Sequence, residues 1–228
     1  MIPVNKIQEI NPKIYQKIFN TFNNKNFPCI YGKISFNKNY MYAGIYKDID
    51  NISINNLAND LIEMSNFLIQ DITDDEKKFS TFIAVFDIET KCLSFDKLWY
   101  KIIKELHKKD KKKWVKNATK DLNNKNFKFS FNGELWYPVL ITPNHPNIIR
   151  KSKITILSFQ PDKTFERNKS IDNNFYQTMR KEIHKKIDNT YSNNRPHYLS
   201  NNSSGKGMVQ FLGYDFQEDK SYKYPQIF

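Results

Sequence analysis

Glycine and cysteine are scarce in this chain, with six of one and two of the other beside nine prolines. So little glycine and proline excludes a fibrous repeat or a low-complexity, disordered chain. The two cysteines, Cys29 and Cys92, lie far apart, which excludes both a disulfide scaffold and a paired-cysteine zinc pattern. No apolar stretch is long enough to cross a membrane and no secretory h-region opens the chain, so the expected setting is cytoplasmic, without a membrane and with reduced thiols. Nucleotide-binding glycine loops, a nucleophile elbow and a zincin histidine pair are all lacking, as are internal repeats.

Aromatic residues, in contrast, are plentiful. Eighteen Phe and thirteen Tyr within 228 residues provide material for one large core. A single α/β (α+β) domain over 1–228 is therefore expected, a mixed sheet flanked by helices, with an irregular tail from about residue 189. The formal charge is 36 − 24 = +12. Its lysines are scattered and far outnumber arginine, so the charge reads as a solvated basic surface. A nucleic-acid partner is the poorer reading, since no helix-turn-helix, RNP or zinc signature accompanies it.

The stretch from Phe127 to Phe165 organises the rest. FKFSF alternates aromatic and polar residues as a half-buried strand does, and Asn132-Gly133 suits a two-residue hairpin turn. ELWYPVLI returns as an apolar and hence central strand, although Pro138 prefers an edge or a bulge. A polar loop, TPNHPNIIRKSK, leads to the strand ITILSF, which ends at Gln160-Pro161.

Elsewhere, apolar spacing predicts a helix over Ile2–Phe22, broken near Pro12, and another over Ile54–Ile69 capped by Asn55 or Ser53. FPCIYGKISF and YMYAGIYKDI read as apolar segments able to pair as a hairpin through Asn37-Lys38-Asn39. Asp71 to Lys78 reads as a charged loop, and STFIAVFDI as a strand buried on both faces. A helix starting at Ser94 carries the stripe Leu98, Ile102, Ile103, Leu106 and ends in the lysine run 108–113, where the helix dipole favours cations. A last helix spans Phe175–Ile187.

Four histidines are the conspicuous chemistry: His107, His145, His184 and His197. His145 stands out because prolines stiffen its loop and Arg150, Lys151 and Lys153 follow, able to face carboxylates or phosphates. His107, near a helix end, is placed either to ligate a metal or macrocycle iron or to cap the helix C-terminus. Cys29, after Pro28, reads as a small buried hydrophobe or as a thiolate ligand.

Several blocks together resemble the bacterial YqcI/YcgG-type family. They are FPCIYGKISF, the helix with Trp99, His107, Asp110 and Trp114, the FKFSFNG of 127–133, TPNHPNIIRKS, and the QP…F of 160–165, in family order from about Ile14 to His184. Members of that family include heme-dependent oxygenases that hydroxylate guanidine nitrogen. The resemblance implies heme iron, dioxygen, an external electron donor and a small guanidino or amino substrate. It makes His145 the expected axial ligand, with His107 or Cys29 as alternatives, and Arg150, Lys151 and Arg180 the cofactor contacts. A redox protein and a second copy of the chain are candidate partners. A non-catalytic heme-binding protein on the same fold is the alternative. Departures are local: Lys153 stands where Arg-Asn-Leu-Gly is expected, His184 replaces a second late arginine, and Tyr224-Pro225-Gln226 replaces Cys-Pro-Phe.

Overall fold

The central strand of the molecule is β3 (Thr81–Phe86), and every one of its six residues is buried. Its alternate residues serve two cores. Phe82, Ala84 and Phe86 face one, and Ile83 and Val85 face the other, as expected of a strand covered on both sides. The computed structural model describes residues 1–69, 75–88, 94–171, 173–193 and 207–213.

Around β3 the described residues form a mixed sheet of six strands in the order β1-β2-β3-β6-β5-β4. These are β1 (Ile2–Pro3), β2 (Met41–Tyr46), β4 (Phe129–Phe131), β5 (Glu134–Ile141) and β6 (Thr155–Pro161) beside β3. The β2–β3 pair is parallel and the other four pairs are antiparallel. Helices α4 (Asn51–Ile69) and α6 (Phe95–Lys109) cover one face, packing Leu57, Leu61, Trp99 and Leu106 against it. On the other face lie α1 (Val4–Ile10) and α2 (Pro12–Phe22), with Ile7, Ile14, Ile18 and Phe22. This is a single α/β domain of the expected class.

The first helix does break, at Asn11, whose side chain caps α2 by accepting from Ile14 N at 3.2 Å, while Pro12 occupies the first turn, where no amide is missed. The hairpin also forms as read. Asn132 and Gly133 both take positive φ, 52° and 77°, and Phe131 pairs with Glu134. Pro138 is accommodated because β4 pairs only as far as Trp136, so the side of β5 facing β4 needs no donor at that position. The Pro138 carbonyl there accepts from Trp99 Nε1 at 2.7 Å.

Four expectations change. FPCIYGKISF is not a hairpin strand: Ile30–Asn37 is a helix, α3, and β2 pairs with β1 and β3 instead. Cys29 Sγ caps that helix by accepting from Gly32 N at 3.3 Å, and Phe27 and Phe36 pack on Phe22. A short apolar run carries no period long enough to tell helix from strand, and tertiary packing decides it. The cap of α4 is Asp50, accepting from Ser53 N at 2.7 Å, rather than Ser53 or Asn55. The charged stretch before β3 holds a short helix, α5 (Asp75–Phe79). Finally, α7 (Asp162–Ile171) and α8 (Asn173–Thr190) follow β6, and the tail contributes α9 (Gly207–Leu212), which buries Met208 and Phe211 in the core. Apolar MVQFL is thus ordered helix within a stretch read as irregular.

Candidate functional site: a cleft between the sheet and four helices

The inner surface of β5 and β6 is apolar until its middle, where Ser158 and Gln160 interrupt it. Across the two strands Val139 faces Ser158 and Tyr137 faces Gln160, and these four residues floor a cleft of about 330 Å³. Its walls come from distant parts of the chain: the start of α3, the 3₁₀ turn Ile148–Arg150, the α7 residues Phe165 and Glu166, and the end of α9. On the remaining side α8 presents Tyr176, Arg180, Ile183, His184 and Ile187, the three- and four-residue spacing of one helix face. Phe22, Phe27, Tyr137, Phe165 and Phe211 make the cleft largely aromatic.

Four residues singled out in the sequence converge here. Cys29, Arg150, Arg180 and His184 all line the cleft. Cys29 Sγ also lies 3.6 Å from Gln160 Nε2. Arg180 lies over the ring of Tyr176, 5.7 Å from its centroid. Burial lowers the Arg150 guanidinium from its usual range, opposed by Cys29 and Tyr191. Beside them Tyr31 is 3% exposed, and its hydroxyl is pushed up to about 12, first by burial and then by Tyr176 and Cys29. Glu166 is the one acid among the described lining residues.

Three other expected residues lie elsewhere. His145 is fully buried beneath Phe95, ring centroids 4.6 Å apart, and outside the cleft lining. Its Nδ1 accepts from Asn147 N at 2.9 Å, which leaves the proton on Nε2 to be donated to Leu212 O at 2.6 Å. Both ring nitrogens are therefore engaged, and an iron bond from His145 would require breaking one of them. Burial drives this imidazole down to about 4, with Arg150 adding to the shift and the Leu212 bond opposing it. His107 ends α6 and meets Trp114 edge-on at 5.6 Å, and burial, then Lys120, lowers its pKa. Lys151 is exposed at the end of the 3₁₀ turn. Cys92, His197 and Tyr224-Pro225-Gln226 lie outside the described residues.

The His145 loop nonetheless shapes the cleft. His145 takes Leu212 O, Asn147 Nδ2 takes Gly213 O at 3.0 Å, and Arg150 Nη2 takes Gln210 O at 3.0 Å. Carbonyls at a helix C-terminus lack partners within the helix, and this loop supplies them from outside. It thereby clasps α9 and holds Phe211 between Tyr137 and Trp99, at ring distances of 5.6 and 6.4 Å.

A family model for the YqcI/YcgG family matches residues 16–225. The chain belongs to the YqcI/YcgG family. No significant match is found among curated proteins, nor among solved structures. In the structure three of the five YqcI/YcgG blocks converge on the cleft: FPCIYGKISF becomes the Cys29 end of α3, TPNHPNIIRKS the clasp and Arg150, and QP…F the end of the floor and Phe165.

Heme fits the donor set of this cleft. Cys29 and His184 offer a sulfur and an imidazole, two of the side-chain types that hold heme iron elsewhere. Two arginines match the charge of a pair of propionates, and the aromatic walls suit a flat macrocycle. Among the described residues no group of three His, Cys, Asp or Glu side chains is placed to hold a metal ion, so iron here would have to bring most of its own ligands. No described helix is long and apolar enough to cross a membrane.

The sequence reading did not locate Tyr31, Glu166 or the Ser158/Gln160 floor. A signal existed for the floor, since polar side chains at alternate positions of an otherwise apolar strand mark one face that meets something other than core.

Proposed function

We propose that the protein is a heme-dependent N-oxygenase that hydroxylates a guanidino or amino nitrogen of a small, arginine-like compound, and that the cleft is its site. The observation that carries this reading is the convergence of Cys29, Arg150, Arg180 and His184 on one aromatic-walled cleft in a member of the YqcI/YcgG family.

Bound heme would supply dioxygen activation, with two electrons and two protons from an external donor, so that an N–H becomes N–OH and the second oxygen atom leaves as water. The chain's own residues bind and orient. Cys29, at the N-terminus of α3, where the Gly32 amide already donates to its sulfur, would hold the heme iron. Arg150 and Arg180 pair with carboxylates. Glu166 meets the cation of the substrate, and Tyr137, Phe165 and Phe211 keep water from the reacting nitrogen. His145 acts at one remove, by holding α9 and Phe211 in place.

Absorption spectra of the full chain reconstituted with hemin test this. The expected result is a Soret band that shifts on reduction and with carbon monoxide, that moves in Cys29→Ser and that keeps its position in His145→Asn. A spectrum that moves with His145 but not with Cys29 assigns the iron to His145. No specific Soret band sinks the heme reading. Heme binding without substrate-dependent dioxygen uptake leaves a heme-binding protein that is not an oxygenase.

A further inference from the structure

Two buried donors in the cleft lack partners. The Tyr31 hydroxyl is inaccessible to solvent and makes no hydrogen bond. Arg150 Nε is likewise buried and unpaired, although Nη2 of the same side chain is committed to Gln210 O. Buried polar groups in folded proteins are nearly always hydrogen-bonded, and one left over in a cleft points to a ligand.

Both groups are rigidly held. Tyr31 is wedged edge-on against Phe165, centroids 5.2 Å apart, and packs on Phe79 at 6.1 Å. Arg150 is fixed by its Gln210 bond and by Gly213, where an added Cβ would meet Arg150 Nε at 2.9 Å. Both line the cleft together with Cys29. The Tyr31 hydroxyl is thus a fixed donor with no partner inside the protein.

We propose that Tyr31 and Arg150 form a carboxylate-reading subsite beside Cys29. A cation is excluded by the guanidinium, and a neutral carbonyl would leave that charge unanswered. A carboxylate offers one oxygen to each donor and the charge that Arg150 lacks. This rests on the cleft being the ligand site proposed above. The carboxylate is either that of an amino-acid substrate or a heme propionate, and the chemistry of the subsite is the same for both.

Isothermal titration of the full chain distinguishes the sources with two probe pairs: L-arginine against agmatine, which lacks the carboxylate, and hemin against its dimethyl ester. Wild type is expected to favour the acid of one pair by on the order of 10-fold or more, and Tyr31→Phe to bring that pair close to parity. Tyr31→Phe is the discriminating variant because it keeps the ring packing, and its unchanged melting temperature shows that the fold is intact. Arg150→Gln should act in the same direction while also loosening α9. Preference within the arginine pair assigns the subsite to substrate, and preference within the hemin pair assigns it to propionate. If wild type discriminates neither pair, or Tyr31→Phe keeps the preference, the subsite is overturned. Hemin binding with neither pair discriminated overturns the subsite alone. Failure of hemin to bind, with L-arginine still preferred over agmatine, overturns the heme reading and leaves the subsite.

Discussion

His145 carries the credentials of a ligand in the sequence, flanking prolines and nearby cations, and in the fold both its ring nitrogens are engaged, one of them by the carbonyl of Leu212, 67 residues away. No local pattern reports such a partner. The consequence is measurable as a pH effect. The imidazole is held near 4 in the folded chain against an ordinary value of 6.5, so between those values the unfolded chain binds more protons. The neutral ring therefore contributes its full stability above pH 6.5 and loses it as the pH falls toward 4, on the order of 3 kcal/mol in all. His145→Asn should flatten that part of the stability curve in urea titrations and lower stability at pH 7 by about 1–3 kcal/mol. An unchanged acid slope would show that other groups carry it.

Elements differ in how much of them is written locally. Strand β3, helix α6 and the Asn132-Gly133 hairpin follow from period and turn chemistry alone, because each is long, strongly patterned or pinned by a residue suited to positive φ. Helix α3 does not, since eight residues around Gly32 fit either period and the Cys29 cap and the rings of Phe22 and Phe27 settle the matter. Helix α9 is the extreme case. Six residues are too few to stand as an isolated helix, and it persists because its carbonyls are clasped and Phe211 is buried. Its C-terminal glycine, Gly213, has φ of 63° and lies against Arg150, whereas Gly133 has φ of 77° and nothing within 4 Å of an added Cβ. Gly133→Ala should thus cost about 1 kcal/mol from backbone strain alone. Gly213→Ala should cost more, because it also displaces Arg150. Equal losses in thermal unfolding would mean that α9 is not held against that side chain.

At the scale of the molecule, the cleft gathers residues from 22 to 211, so that three family blocks far apart in the sequence meet at one place in the fold. Its surroundings are unequal in stability. The floor belongs to the buried sheet, whereas α8 buries only Ile187 among its described side chains and α9 depends on its clasp. A ligand in the cleft would bridge these weaker parts to the sheet. Hemin at about 100 times its Kd should add roughly 2.7 kcal/mol of stability, which for a chain of this size corresponds to a rise in Tm of about 5–10 °C. Amide hydrogen exchange should slow in α8, α9 and the start of α3, and remain unchanged in α4, which covers the opposite face away from α9. Protection concentrated in α4 would place the ligand on the other side of the sheet and remove the cleft as the site.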